Sequence, residues 1–187
     1  MSKLGGKTSM WAWFAVLLAC RTSTSEPALP PAEKKPAECS PTRRAPIQDR
    51  AGFVEALRTL QGCDWPSRTP RAIANALGAN LRAGAAGKSW EFDTNSELVA
   101  VDADATAEDA PATSIRFYPR SNLGVTMALV EALYGSRYDT LPPGKDTTVI
   151  FEPEDGSYAA VKLFGSFKTP KPAALVNYLQ LRPPEAH

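Results

Sequence analysis

The chain has a single histidine, His187, at its very end, and three cysteines in 187 residues. That scarcity closes off several chemistries. Two spare cysteines and one terminal histidine do not make the four-ligand set a structural zinc site needs. A Ser-His-Asp or Cys-His relay needs a histidine held by a folded scaffold, and His187 ends a Pro-rich tail. Lys and Arg total 21 against 20 Asp and Glu, a formal net charge of +1. A balance that even carries no nucleic-acid footprint. The chain also lacks a long hydrophobic run. Its longest obvious one, Trp11 to Ala19, is about half the ~20 residues needed to span hydrocarbon as a helix.

What is present begins with that short run. Lys3 and Lys7 precede it with no acid, and Leu17-Leu18-Ala19-Cys20 closes it. A basic flank, an apolar stretch and a small residue make a secretory signal peptide. The segment resembles a bacterial lipoprotein signal, with Leu17 three before the cysteine and Ala19 one before it. Leu18 is bulkier than the commonest residue at its place. The resemblance implies cleavage before Cys20, lipidation of its thiol, and attachment to the membrane. With two or more acyl chains at roughly 0.8 kcal/mol per buried methylene, anchoring is stable. Arg21, rather than Asp, follows the cysteine, which points to the outer membrane with the domain in the periplasm.

Removing residues 1–19 leaves roughly 165, enough for one compact domain or two very small ones. With Cys20 used as the anchor, Cys39 and Cys63 remain. An even remainder in an exported chain points to a disulfide, worth up to ~3 kcal/mol in the chain-entropy model. Residues 20–46 read as a tether: Pro27, Pro30, Pro31, Pro36, Pro41 and Pro46 stand among Ser, Thr, Glu and Lys. Such a composition buries too little to fold and stays extended.

The folded part is expected over 47–182, with 183–187 as a tail. Asp49 caps a leading helix whose Phe53, Val54, Leu57 and Leu60 share a face, and Gly62 stops it. Trp65, in the loop Cys63 to Arg68, reads as a lid on the core. Then the chain repeats itself. Thr69 to Ala79 aligns with Thr126 to Ser136 at an offset of 57 (126 minus 69), and the same offset carries Gly87-Lys88 onto Gly144-Lys145. Each copy reads as a Thr-capped helix closed by glycine, Gly78 or Gly135, followed by strands. The first copy gives strands at 89–93, 98–101 and 114–118, and the second at 147–152, 158–164 and 174–181. The expected fold is α+β: a leading helix plus two tandem helix–three-strand units, about 67–123 and 124–182. Their strands form an antiparallel sheet with helices on one face.

Gly124, Thr126, Val130 and Gly135 have the spacing G-x-T-x3-V-x4-G. That pattern resembles the helix motif of the small outer-membrane lipoproteins of the β-barrel assembly machinery. It also resembles the wider superfamily that includes a secreted β-lactamase inhibitory protein built as a tandem of such units. In the first unit Thr69, Ile73 and Gly78 match, and Ser67 stands where the pattern has glycine. The resemblance implies the fold and, for function, binding to other proteins.

Other patterns are weaker. Gly84-Ala85-Ala86-Gly87-Lys88-Ser89 has a phosphate-loop flavour, but Arg82 stands where the first glycine belongs and a helix precedes it instead of a strand. Between Ser89 and Ile115 lie seven acids (Glu91, Asp93, Glu97, Asp102, Asp104, Glu108, Asp109) and no Lys or Arg. Asp102, Asp104, Glu108 and Asp109 lack the glycine and terminal Glu of a calcium loop. They read as a solvated acidic loop that discourages edge pairing, or as a face for a basic partner. Glu152, Glu154 and Asp155 sit by a hairpin turn; a glycosidase pair there would need a sugar cleft. Tyr118, Tyr134, Tyr138 and Tyr158 are candidates for an interface cluster, with core packing the default.

The expected function is therefore that of a non-enzymatic, lipid-anchored envelope lipoprotein that acts as a protein-binding scaffold or inhibitor. Its lipidation site is Cys20 and its disulfide Cys39–Cys63. No cofactor, metal or nucleic acid is expected; the partners are the membrane and an envelope protein. The alternatives are a cell-envelope hydrolase using acidic residues, or a calcium- or ligand-binding module.

Overall fold

The computed structural model describes residues 39, 42–84, 87–94, 97–141, 146–152, 157–165 and 169–184. The signal segment, Cys20, most of the tether and the last three residues lie outside them.

The leading helix α1 spans Arg50–Gln61. Asp49 caps it, its Oδ1 accepting from the Gly52 N–H at 2.7 Å. Phe53, Ala56, Leu57 and Leu60 are buried, the i, i+3, i+4, i+7 stripe of an amphipathic helix. Phe53 meets Phe117 edge-on, ring centroids 5.9 Å apart. The Gln61 side-chain amide donates to the Leu133 carbonyl at 2.9 Å, tying the end of α1 to a helix more than seventy positions away. After Gly62, Cys63 lies at disulfide distance from Cys39, with Cα atoms 4.8 Å apart. Trp65 packs half-buried against the core, and its indole donates to the Ala112 carbonyl at 2.6 Å. Arg68, 3% exposed, lies over the Trp65 ring and donates to the Cys63 carbonyl at 2.9 Å.

Two more helices follow, α2 (Pro70–Leu77) and α3 (Met127–Tyr134). Strands β1 (Asn80–Ala83), β2 (Ser89–Asp93), β3 (Val99–Asp104) and β4 (Ser114–Pro119) come after α2. Strands β5 (Tyr138–Thr140), β6 (Thr147–Phe151), β7 (Tyr158–Leu163) and β8 (Val176–Arg182) come after α3. All eight join one antiparallel sheet in the order β1-β2-β3-β4-β8-β7-β6-β5. Each set of four is a meander, and the two meet at β4 and β8. The protein is thus mixed α+β.

Three details depart from the sequence expectation. Each meander has four strands, not three: β1 and β5 form the two edges and are too short and too exposed to carry a readable hydrophobic alternation. Strand β3 runs on to Asp104, so Asp102 and Asp104 are strand residues and not part of a loop. The Thr126 side chain makes no cap. Its place is taken by backbone: the Met127 and Ala128 N–H groups donate to the Ala174 and Pro172 carbonyls, each at 2.9 Å.

Strand residues point alternately to the two faces of a sheet. One set, including Phe92, Val101, Ile115, Phe117, Val149, Phe151, Val161, Leu179 and Leu181, is buried. It forms a single hydrophobic cluster with Phe53 and Leu57 of α1, Ile73 and Leu77 of α2, and Met127 and Val130 of α3. Among the described residues no helix is long and apolar enough to cross a membrane.

Candidate functional site

The other set of alternate positions makes the outer face of the sheet. Pairing registers carry one row across all eight strands: Arg82, Glu91, Asp102, Arg116, Gln180, Ala160, Ile150, Asp139. A neighbouring row runs Ala100, Tyr118, Tyr178, Lys162, Thr148. Apart from Ala160 these side chains are exposed or half-buried. A sheet face this polar and aromatic is not a core surface.

Its centre is fixed by charge. The Arg116 guanidinium donates through Nε to Asp102 and through NH2 to Asp104, the latter at 2.8 Å. Ser114 Oγ donates to the second Asp104 oxygen at 2.9 Å. Burial alone would lower the Arg116 pKa; the hydrogen bonds and charges of the two aspartates outweigh it and raise it. The guanidinium is therefore held charged across the three strand residues, and an ordered side-chain network of this kind holds its neighbours in place.

Beside it, Tyr118 and Tyr178 stack edge-on at 5.4 Å. Lys162 lies over the Tyr178 ring at 5.1 Å. With its amide turned to suit its neighbours, Gln180 donates to the Tyr178 hydroxyl at 3.0 Å and accepts twice from Arg182, at 3.1 and 3.2 Å. Burial raises the pKa of both tyrosines. For both, the Asp102 charge adds to it and Arg116 opposes it; at Tyr178 Arg182 opposes it further and Asp104 adds. Both hydroxyls stay neutral donors at neutral pH.

Next to the tyrosines the face is dented. Ala100 is exposed and has no side chain beyond Cβ. Glu91, Asp102, Arg116 and Tyr118 surround it with Ser89, leaving a depression of about 390 Å³. Glu91 stands in its wall with the paired Asp102 and Arg116 and the Tyr118 ring. A carboxylate beside an aromatic ring can hold a cationic group, the ring against its stem and the carboxylate at its head.

The residues singled out in the sequence are scattered differently. Tyr118 is 37% exposed on the outer face, and Tyr158 is on β7. Tyr134 is buried and Tyr138 half-buried, both against Phe151 with centroids at 6.3 and 5.3 Å. The four do not form one cluster. Tyr178 is the missing partner of Tyr118; the buried Leu179 and Leu181 around it set the alternation that turns it outward. Asp102 and Asp104 go to Arg116, whereas Glu108 and Asp109 go to Arg71, at 3.2 and 2.8 Å. Among the described residues, no group of three or more His, Cys, Asp or Glu side chains comes together as a metal site. Glu152 is exposed just past the end of β6, and Glu154 and Asp155 lie outside the described residues. Lys88 is exposed in the turn before β2, with residues 85 and 86 outside the description.

Set against protein-family models, known proteins and solved structures, the chain matches none.

Proposed function

We propose that this protein is a lipid-anchored envelope lipoprotein, tethered through Cys20, whose domain binds another protein through the outer face of the sheet. In this reading it is a scaffold or an inhibitor and not an enzyme. The observation that carries it is the Tyr118–Tyr178 pair, set between fixed charges on an exposed sheet face. Tyr and Arg are over-represented among residues that dominate binding energy. Aromatic rings held in place cost little entropy when a partner orders around them.

The reading includes a duplicated architecture with all three helices on the opposite face. Spacing supports it. Helix α2 begins at 70 and α3 at 127, β2 at 89 and β6 at 147, β3 at 99 and β7 at 158. The steps of 57, 58 and 59 are those of one unit repeated with small loop insertions. The resemblance of Gly124, Thr126, Val130 and Gly135 to the assembly-machinery lipoproteins and the inhibitory protein agrees with a protein-binding role.

The test has two parts. Mass and membrane fractionation of wild type beside Cys20→Ala reads the anchor: the wild type gains lipid mass and sediments with the outer membrane, and the variant does neither. A photo-crosslinking residue at Thr148 on the outer face, compared with one at Arg58 on α1, reads the surface. Adducts of defined mass at Thr148 and none at Arg58 support the reading. Equal labelling at both positions, or none, overturns it.

A further inference from the structure

The outer face is divided by charge along its middle. On β1 to β4 its outward positions carry Glu91, Asp93, Asp102 and Asp104 against Arg82 and Arg116, an excess of two acids. On β5 to β8 they carry Lys162 and Arg182 against Asp139, an excess of one base. The division falls at the β4–β8 seam, where Tyr118 and Tyr178 meet. Shape divides in the same way. One strand out from the seam on the first side, in the row of the two tyrosines, is Ala100, the floor of the depression. One strand out on the other side, in the same row, is the exposed Lys162, its ammonium over the Tyr178 ring. Hole and knob stand at mirrored positions, three strand spacings or ~14 Å apart.

A two-fold axis laid along the strands over that seam turns each half onto the other. It sets β3 of one copy over β7 of the other and Tyr118 over Tyr178. It also sets each Lys162 above the Ala100 depression of the opposite copy, between Glu91, Asp102 and Tyr118. We infer that the outer face pairs with a second copy of this chain, each Lys162 entering the acidic depression of the other. The inference rests on the reading of this face as a protein-binding surface and names its occupant. An isologous contact is self-complementary by definition, and this face meets that condition in charge and in relief. Eight strands at ~4.8 Å by about five residues at ~3.4 Å give ~650 Å² of flat area. That approaches the ~800 Å² per partner of a stable interface.

The measurement is sedimentation velocity of the full chain in density-matched detergent, on wild type, Lys162→Glu, Glu91→Lys, and an equimolar mixture of the two variants. Both positions are exposed, and melting temperatures within a few degrees of wild type establish that the variants fold. The wild type is expected to dimerise, more weakly at high salt because the contacts are ionic. Each variant alone is expected to dissociate at least tenfold more readily, since like charges face each other twice. The mixture regains the dimer, because the acid introduced in one variant then meets the base introduced in the other, while the second contact stays native. Two results overturn the inference: a wild type monomeric at every concentration, or variants that dimerise as well as wild type and gain nothing on mixing. Either leaves the crosslinking test of the previous section unaffected, where a partner of another mass at Thr148 still supports a protein-binding face.

Discussion

Helices α2 and α3 are each preceded by a threonine and followed by a glycine, yet they are held by different means. At the start of α2, Thr69 Oγ accepts from the Ala72 N–H at 3.2 Å. At the start of α3, Thr126 makes no such bond, and two carbonyls from the segment before β8 accept the N–H groups instead. The ends differ too. Gly78 has φ +65°, and a Cβ there would lie 2.5 Å from the Arg44 and Ala45 backbone. Gly135 has φ +89° with nothing within 4 Å of such an atom. At its start the motif is local at α2 and tertiary at α3, where the segment leading into β8 completes it; at its end the order reverses, with the chain entering from the tether against Gly78 and nothing against Gly135. A repeated pattern keeps its place in the fold while its stabilising contacts drift.

The glycines break this comparison most sharply. Gly78→Ala combines a left-handed backbone with a forced shift of two packed residues, and should cost about 3 kcal/mol or more. Gly135→Ala meets open space but sits at φ +89° and ψ 173°, a region essentially kept for glycine, and should cost about 2 kcal/mol from backbone strain alone. Urea denaturation of both variants reads the difference. Equal losses would mean that segment 44–45 does not pack on α2 in solution.

The second test concerns the cysteine pair, which joins the tether end to the loop after α1, 24 positions on. Replacing both by serine should cost up to ~3 kcal/mol, seen as a lower melting temperature. A reductant should shift wild type down to the double variant and leave the variant unmoved. A wild type insensitive to reductant would mean that the thiols are not bonded.

The threonines give a smaller effect. Thr69→Ala removes a side-chain cap and should cost ~1 kcal/mol. Thr126→Ala removes none and should stay within ~0.5 kcal/mol. Should Thr126→Ala cost as much as Thr69→Ala, the hydroxyl serves α3 in some way other than capping.

Much of this fold is legible in the chain because its signals are local. Asp49 with Phe53, Leu57 and Leu60 marks α1, and alternation marks the six longer strands. What stays hidden is non-local or too short. Asn80–Ala83 and Tyr138–Thr140 are edge strands with no buried stripe. Asp102 and Asp104 look like loop acids until Arg116, fourteen positions beyond Asp102, is set across from them. The site suffers most, because Tyr118 and Tyr178 become neighbours only when β4 pairs with β8. Nothing in either strand announces that pairing, so a reader of the sequence sees one tyrosine and not the pair.

That pair also supplies the finest test, since it joins the two halves and both rings sense Asp102 and Arg116. Both hydroxyls should ionise above their ordinary value of 10.0. Burial is the first cause for each, because the phenolate loses more hydration than the phenol. A group raised in the folded state gives stability that is whole below its unfolded pKa and is lost as pH climbs through the folded one. The melting temperature should therefore decline above about pH 10, less steeply when both are phenylalanine. The neighbouring charges set the direction of each shift. In a Tyr178→Phe background, Asp102→Asn should lower the Tyr118 ionisation, read by phenolate absorbance, because the Asp102 carboxylate opposes a second negative charge. In a Tyr118→Phe background, Arg182→Gln should raise that of Tyr178, because a cation that favours the phenolate is removed. A Tyr118 ionisation unmoved by Asp102→Asn, or a Tyr178 ionisation unmoved by Arg182→Gln, would mean that the replaced charge does not reach that ring.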